Sequence, residues 1–527
     1  MFRKVFFLIG MIFSAGAAEM VMDINFDGHP DKLIPVKSTE NGRVFDVMIF
    51  KPEEGKYHRD PQFSTLIAGE VPLLDPEEKS IQIRLQAEGK ILPVYKFYVR
   101  NGELCFANGE KVPALKFDWS MKEISPDMWE FDRKAGKTAF DEAYRQWEAL
   151  LPELAARQIP YSPELFRSRF NGGHRTDPRQ VEQWKEEMRE LYYALPDELP
   201  SGEFTPEING LRQKFLTENA AKIARMEVQT RQCRNLILFP ESSTPLFDQL
   251  IFSSYSSLRD AARVYAVKIR FAAAKKDWAG VMDAFTAGNK LILPPDSLLH
   301  LMINSGIDGS LIQALCDALY QAEKQRELTP ELIAFAREVF AGREKKLLQD
   351  FYTAYQMEAA YAFDVLDSMI SGHGELGMIK RPEGVVLYSL ATLLMLDKVT
   401  IGKFFCNALD MLKKDPYLAG EPDWQPGELD IAGVLVNMDI LPQPLYNALA
   451  FYRSANAFLI YLENGNSLPV QQDPYSNGKL RFYRGEFSIG QEQKKVYGIR
   501  IYSVGSNRKD ENGSGDDRGI NVIDSSR

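Results

Sequence analysis

The chain has 527 residues, of which 45% are hydrophobic and 26% are charged, and its formal net charge at pH 7 is −10. This length exceeds one ordinary hydrophobic core and predicts two to four domains, and the composition excludes a disordered chain. The acidic balance excludes a general nucleic-acid binder, which needs a basic surface, and it favours solubility and cation binding.

Residues 1–18 have the pattern of a secretory signal peptide. Arg3 and Lys4 form a basic start, the apolar run Val5–Phe13 follows, and small residues end the segment with a cleavage site after Ala17 or Ala18. The alternative is a short membrane anchor, but the run is shorter than the about 20 residues that span a bilayer. We therefore expect an exported protein without a stable transmembrane span after cleavage, in the periplasm, at the cell surface or outside the cell.

The next region, residues 19–118, is predicted as an antiparallel β domain. Val44–Phe50, Ile81–Leu85 and Tyr95–Val99 are rich in strand-forming residues. Asn-Gly pairs, which favour tight turns, separate segments of this kind. The period of the apolar residues thus indicates strands rather than helices throughout this region.

A loop rich in oxygen side chains lies near the start of this domain. Asp23, Asn25, Asp27 and Asp31 form the pattern DxNxDGxxD, in which the glycine allows a sharp bend. Ca²⁺ takes six to eight oxygen ligands from a flexible backbone, so these four residues are predicted metal ligands and calcium is the predicted cofactor. The loop is not an EF-hand, because its twelfth position is Ile34 rather than a bidentate Glu. The alternative is a metal-free turn held by its own Asx side chains.

The sequence of residues 20–110 resembles the FG-GAP-like β domains of some bacterial periplasmic lysozyme-inhibitor-like proteins. The segments that carry this resemblance are Val21–Ile34, Phe45–Pro52 with Gly55–Tyr57, and Leu74–Ile81. The resemblance implies an antiparallel β fold with a calcium-type loop. It also implies inhibition of a muramidase as one alternative function.

From residue 119 to residue 440 the hydrophobic spacing becomes helical, which predicts an all-α bundle or an irregular solenoid. Thr329-Pro330-Glu331 and Ser162-Pro163-Glu164 place proline at the first position of a helix. A helical hairpin is predicted around Lys275–Trp278, and it resembles one repeat of the tetratricopeptide kind. No second copy follows at a fixed period, so a true repeat array is not predicted.

Residues 441–527 are predicted as a helix, from Pro442 to about Leu462, followed by a small antiparallel sheet. The predicted strands are Lys479–Arg484, Glu486–Ile489, Lys495–Val504 and a short Ile520–Ile523. A Gly-rich loop crowded with acidic and amide side chains precedes the last strand. This loop is the second candidate calcium site.

The C-terminal block, about residues 440–524, resembles the type II secretion major pseudopilin, whose late loop binds calcium. The resemblance rests on the helix, the Asp473-Pro474 turn, the short sheet and the acidic loop. It implies metal ligands at Asn507, Asp516 and Asp517, with Asp510 as a further one, although Asn507 supplies a neutral carbonyl where the family has Asp. A solvated tail is the alternative. We do not expect the chain to be a pilin subunit itself, because a signal-like segment, a predicted β domain and a long predicted helical region precede this module.

Together these patterns predict a multidomain α+β protein with an N-terminal antiparallel β domain, a large central helical domain and a C-terminal helix plus small sheet. The five His and four Cys form no HExxH or CxxC pattern, and no GxSxG or phosphate-binding loop occurs. The leading hypothesis is an exported, non-enzymatic calcium-binding scaffold whose partner is an envelope protein or a glycan. An envelope hydrolase with an Asp/Glu pair is an alternative, because such a pair leaves no local motif. Lysozyme inhibition through the N-terminal domain is another.

Overall fold

The computed structural model describes residues 19–39, 42–66, 72–87, 90–114, 126–170, 178–196, 199, 202–231, 252–371, 386–414, 442–464, 471–476, 478–489, 494–505, 507–511 and 517–525. The predicted signal peptide, residues 1–18, lies outside the described residues, as do Cys233 and the predicted ligand Asp516. The chain divides into two compact units, each built from separate stretches of sequence. The first comprises Met1–Pro163, Ala359–Ala408 and Pro422–Asn437, and the second comprises Glu164–Glu358, Leu409–Glu421 and Met438–Arg527.

The N-terminal part of the first unit forms two antiparallel sheets in which the strands follow one another in chain order. The first sheet contains β1 (Met20–Met22), β2 (Asp31–Thr39), β3 (Gly42–Lys51) and β4 (Lys56–Arg59). After a short helix, α1 (Pro61–Leu66), the second sheet contains β5 (Leu73–Asp75), β6 (Ser80–Ala87), β7 (Lys90–Arg100) and β8 (Glu103–Cys105). The predicted antiparallel β region is therefore confirmed.

Both sheets share a hydrophobic core with the first long helix, α2 (Pro126–Ala156). Alternate residues of β3, such as Phe45 and Val47, are buried in this core, as the period of a strand requires. The Phe131 ring of α2 packs against β7, with its centroid 5.5 Å from that of Tyr95 and 5.8 Å from that of Phe97. Each such fully buried side chain contributes roughly 1.5–3 kcal/mol.

A buried carboxylate fixes a second helix, α12 (Tyr388–Lys414), to this core. Asp132 of α2 accepts hydrogen bonds from the Tyr95 hydroxyl at 3.1 Å and from the backbone N–H groups of Tyr388 at 2.6 Å and Ser389 at 3.1 Å. The first N–H groups of a helix have no partner within the helix, so a carboxylate at this position satisfies them. The β region and the helices of this unit are thereby one packed body.

The middle of the chain is helical, as predicted. The further helices are α3 (Pro163–Phe170), α4 (Pro178–Tyr193), α5 (Pro206–Glu218), α6 (Ala220–Thr230), α7 (Phe252–Ala274), α8 (Trp278–Asn289), α9 (Leu298–Lys324), α10 (Pro330–Ala341), α11 (Arg343–Ser371) and α13 (Pro442–Glu463). Thr329 caps α10 by accepting the Leu332 N–H at 3.2 Å, and Asp277 caps α8 by accepting the Gly280 N–H at 2.9 Å. The predicted proline start of α10 and the helical hairpin of α7 and α8 are both present.

The C-terminal strands form a sheet in the order β11 (Arg518–Ile523), β10 (Lys494–Ser503), β9 (Arg481–Ile489), with all pairs antiparallel. The prediction of two separate strands on either side of Gly485 was wrong. Gly485 lies directly opposite Gly498 in an unbroken register, so one strand continues through it. The sheet packs on α9 and α13 within the second unit, where the Gln313 side chain bonds both the carbonyl and the N–H of Asn521.

The last two features of the fold are the apolar character of the helices and the burial of the cysteines. None of the helices in the described ranges has the length and apolar character of a membrane span. Cys105, Cys316 and Cys406 are buried.

Candidate functional site

The N-terminal loop Asp23–Asp27 is held by its own side chains. Asp23 accepts the backbone N–H groups of Asp27 at 3.0 Å and Gly28 at 2.8 Å, and Asn25 Oδ1 accepts the Asp27 N–H at 3.1 Å. Asp27 in turn accepts the Asn25 side-chain amide at 2.8 Å. Gly28 has φ +88°, a left-handed conformation that side chains rarely adopt, so glycine is required at this bend. The structure thus brings Asp23, Asn25 and Asp27 together around one turn.

Asp31, the fourth predicted ligand, has a different role in the fold. It is 0% exposed at the start of β2, where Oδ2 accepts the Ile24 N–H at 3.1 Å and Oδ1 accepts the Phe50 N–H at 2.9 Å. Burial raises the pKa of this carboxyl, while the two backbone hydrogen bonds oppose the rise. Asp31 therefore connects the loop to β3 through hydrogen bonds to the backbone of both.

The loop offers a hard cation a small set of oxygen atoms. Asp23 and Asp27 supply carboxylates and Asn25 supplies an amide oxygen, and backbone carbonyls and water would complete a coordination shell of six to eight. Within the described residues, no group of three or more His, Cys, Asp or Glu side chains is arranged to hold a metal. The side-chain oxygens of Asp23, Asn25 and Asp27 already accept the hydrogen bonds that hold the turn.

The described residues at the two ends of the acidic loop near the C-terminus make hydrogen bonds within the protein. Asn507 accepts the Lys509 N–H at 2.7 Å and donates to Glu511 at 3.0 Å. Asp510 accepts the Tyr502 hydroxyl at 2.9 Å and Arg481 Nε at 3.2 Å. Asp517, which is 8% exposed, accepts the Glu511 N–H at 3.0 Å. The predicted ligands Asn507, Asp510 and Asp517 thus each have protein partners in the described structure.

Asp473 is a residue of this module whose role the sequence did not reveal. Its carboxylate is 1% exposed and accepts the Tyr475 N–H at 2.8 Å, the Ser503 hydroxyl at 2.6 Å and the Val504 N–H at 3.1 Å. The Asp-Pro turn is thereby anchored to the end of β10, just before the acidic loop. The signal in the sequence was the Asp473-Pro474 pair, which marks a turn but does not identify its distant partners.

A group of titratable side chains lies at the N-terminus of α9. His300 Nδ1 is 3.0 Å from Asp296 Oδ1, and the Asp296 carboxylate also accepts the Tyr255 hydroxyl. The Tyr255 and His300 rings are stacked with centroids 4.3 Å apart. Ser297 caps the helix by accepting the His300 N–H at 3.1 Å and donates to Asp296 at 3.1 Å. Among the described residues, His300 Nε2 is buried without a hydrogen-bond partner.

Glu358 of α11 belongs to the same group, and its pKa is raised. It accepts the Leu298 N–H at 3.1 Å, which is the first N–H of α9. Burial, with a smaller contribution from the negative charge of Asp296, raises the pKa of Glu358 to about 7. Burial also acts to raise the pKa of Asp296, but His300 and the hydroxyl donors outweigh it and lower that pKa below its ordinary value. Two carboxyl groups beside one helix end therefore differ in protonation near neutral pH.

Comparison with known proteins leaves these sites without an assigned counterpart. No family model, no curated protein and no solved structure matches the chain. The resemblances of residues 20–110 and 440–524 therefore stay predictions, and the function is to be argued from the contacts of the residues themselves.

Proposed function

We propose that the protein is an exported, non-enzymatic calcium-binding scaffold of the bacterial envelope, whose helices present surface to an envelope protein or a glycan. The observation that supports calcium binding is the Asp23–Asp27 turn. Two carboxylates and one amide oxygen converge on a glycine bend in it, which is the type of donor set that extracellular modules use at calcium affinities of about 0.1–1 mM. Calcium would add rigidity to the first sheet.

Replacing Asp23 with alanine should remove one calcium ion per chain. The protein without residues 1–18 is titrated with calcium by isothermal calorimetry, and we expect a dissociation constant between about 0.1 and 1 mM for this loop. The matched control is Asp75→Ala. Asp75 holds a similar surface turn by accepting the N–H groups of Glu77 at 3.0 Å and Glu78 at 3.2 Å. The sequence that begins at Asp75 does not have the DxNxDG pattern.

Two results would contradict this proposal. The first is the absence of binding heat at about 10 mM calcium, well above the affinity range of extracellular sites. The second is a calcium stoichiometry that is the same in wild type and Asp23→Ala, since binding would then lie elsewhere. In either case the turn is a metal-free Asx structure, and the scaffold hypothesis loses its calcium component.

An envelope hydrolase is the second candidate function, and the pair of Asp296 and Glu358 favours it. Glycoside hydrolysis uses a protonated carboxyl group as general acid and an ionised carboxylate as base or nucleophile. Two carboxyl groups can take these roles when their environments make their pKa values differ. The enclosure of the group favours a structural role instead, because Asp296 is 8% exposed and His300 is 1% exposed. We therefore place the hydrolase second.

Glu358→Gln tests the raised pKa of Glu358 through the pH dependence of stability. The pKa of folded Glu358, about 7, lies above its ordinary value of 4.5, so its stabilising contribution is complete below pH 4.5 and is lost as pH rises through 7. The glutamine keeps an acceptor for Leu298 but cannot ionise. It should therefore raise the free energy of unfolding by about 2 kcal/mol more at pH 8 than at pH 5, measured by urea titration of the circular dichroism.

The control for this measurement is Glu323→Gln, an exposed carboxylate on α9, which should change stability equally at both pH values. Equal effects of Glu358→Gln at pH 5 and pH 8 would contradict the raised pKa of Glu358, and the hydrolase would lose the observation that favours it. A wild-type activity on glycan or peptide substrates that Glu358→Gln abolishes would establish the hydrolase in place of the scaffold.

A further inference from the structure

The C-terminal sheet has an open edge at β9. This strand is the last in the order β11, β10, β9, so β10 pairs with it on one side only. On the other side, the segment at Gln472 pairs with Lys479 just before β9, and no further strand of the described residues continues along this edge. The N–H and C=O groups of an edge strand can pair with a strand of another chain.

The hydrogen bonds of the sheet show which backbone groups of β9 point outward. In an antiparallel strand, alternate residues direct both backbone groups to opposite sides. The Asp524 N–H donates to the Tyr497 carbonyl at 2.7 Å, so odd-numbered residues of β10 face β11 and even-numbered ones face β9. Because Gly498 lies opposite Gly485, the odd-numbered residues of β9 face β10. The residues that direct their N–H and C=O groups outward are Phe482, Arg484, Glu486 and Ser488.

The outward groups of β9 are able to accept and donate further hydrogen bonds. The Glu486 carbonyl accepts the Tyr483 hydroxyl at 3.0 Å, and the Ser488 carbonyl accepts Arg500 at 3.1 Å. A carbonyl oxygen has two lone pairs, so each of these can accept a second bond. The outward N–H groups have no acceptor within the described residues. A further strand would therefore bond to them in place of water.

The side chains of β9 are complementary to a second copy of the same strand. When two copies pair antiparallel with Gly485 opposite Gly485, each Arg484 lies opposite a Glu486 and each Tyr483 lies opposite a Phe487. Opposite charges and aromatic rings at directly opposed positions stabilise a pair of strands. The two glycines leave the centre of the pairing without side chains that could clash.

The charges on this edge also select one register. Arg484 is exposed and has no ion-pair partner within the described residues, and Glu486 makes only an exposed contact with Lys495 at 3.2 Å, which contributes little. Shifting the register by two residues places Arg484 opposite Arg484 in one direction and Glu486 opposite Glu486 in the other. Charges on an edge strand often prevent association, but in the register centred on Gly485 they attract.

We infer that β9 is the interface of a homodimer, in which the C-terminal sheets of two copies join edge to edge into one six-stranded antiparallel sheet. The two-fold axis passes between the two Gly485 residues, so both copies contribute the same surface. This pairing does not depend on the proposed calcium function, because none of the four paired side chains is a predicted calcium ligand. The edge is short compared with stable interfaces, so we expect a dissociation constant of about 10–100 µM.

The test measures dimerisation of the chain without residues 1–18, in chelator, by sedimentation velocity from about 1 to 300 µM. Arg484→Glu and Glu486→Arg each place two pairs of like charges opposite one another and should weaken the dimer at least about tenfold. The double variant Arg484→Glu with Glu486→Arg restores opposite charges, so it should dimerise within about threefold of wild type. The matched control is Lys214→Glu, the same change of charge at an exposed position of α5, which should leave dimerisation unchanged.

Hydrogen exchange followed by mass spectrometry locates the interface. Peptides from residues 480–489 should exchange more slowly at about 200 µM than at about 2 µM, because the outward N–H groups are bonded in the dimer.

Three outcomes would overturn the inference. A wild-type chain that stays monomeric throughout the concentration range has a protected edge rather than an interface. Dimerisation that both single variants leave unchanged, or exchange in residues 480–489 that does not depend on concentration, places the contact elsewhere. Failure of the double variant to recover dimerisation, with circular dichroism confirming its fold, excludes the register centred on Gly485.

Discussion

Replacing Asp31 with alanine should lower the free energy of unfolding of the β region by about 4 kcal/mol, and calcium should not change this loss. The substitution leaves the Ile24 and Phe50 N–H groups without their acceptor at a position that is 0% exposed. Each buried N–H without a partner costs about 1–3 kcal/mol. Urea unfolding, followed by circular dichroism in calcium and in chelator, measures the loss.

Asp23→Ala provides the matched comparison in the same loop. Its carboxylate accepts N–H groups that are exposed, so water replaces it and the loss of stability in chelator should stay below about 1 kcal/mol. If Asp31→Ala lowered the free energy of unfolding only in the presence of calcium, the role of Asp31 as a hydrogen-bond acceptor would be contradicted, and Asp31 would act as a metal ligand instead. Asp31→Asn should be intermediate, since one oxygen remains as an acceptor while the amide faces a backbone donor.

The different roles of Asp23 and Asp31 show how far a local pattern can be interpreted. The DxNxDG spacing predicted a turn in which side-chain oxygens converge, and hydrogen bonds within a few residues build that turn. The acceptor role of Asp31 depends on Phe50, which reaches it only when β2 pairs with β3. Pairing between strands is a property of the fold, so the spacing alone could not predict that Asp31 accepts a hydrogen bond from β3.

Helical and strand periods were the most informative signals in the chain. Proline after Thr329 predicted the start of α10, because a missing N–H has no cost in the first turn. Gly485 was misinterpreted as an end of a strand, since glycine is depleted in strands. In the sheet Gly485 lies opposite Gly498. The two strands pair through their backbones at this position, so the pairing continues without side chains.

The group around His300 could not be predicted from the sequence. Tyr255 of α7, Asp296 of the loop before α9 and Glu358 of α11 come from three separate segments, and Leu298 and Glu358 are 60 residues apart. Only the Ser297 cap and the spacing of Asp296 and His300 by one helical turn are local. Interactions of this kind depend on how helices pack, which amphipathic patterns constrain only loosely.

Asp317→Ala should lower the free energy of unfolding of the second unit by about 4 kcal/mol. Asp317 is 1% exposed and pairs with Arg270, itself 3% exposed, through Nε at 2.8 Å and a terminal nitrogen at 2.8 Å. Removing one partner of a buried pair leaves an uncompensated charge and costs about 3–5 kcal/mol. The surface substitution Glu186→Ala, whose partner Arg189 is 3.5 Å away and 64% exposed, should cost less than about 0.5 kcal/mol.

The C-terminal sheet provides a local readout of the same substitution. Gln313 donates to Asp317 at 2.9 Å and to the Asn521 carbonyl at 2.7 Å, so Asp317 orients the side chain that joins α9 to β11. In Asp317→Ala, hydrogen exchange should therefore accelerate more in β11 than in α4, the helix that carries the control residue Glu186. The double variant Arg270→Met with Asp317→Leu should recover most of the lost stability, because a packed apolar pair replaces a buried ionic one at little cost. A loss below about 1 kcal/mol in Asp317→Ala, or equal exchange in β11 and α4, would contradict this account of how the sheet is held.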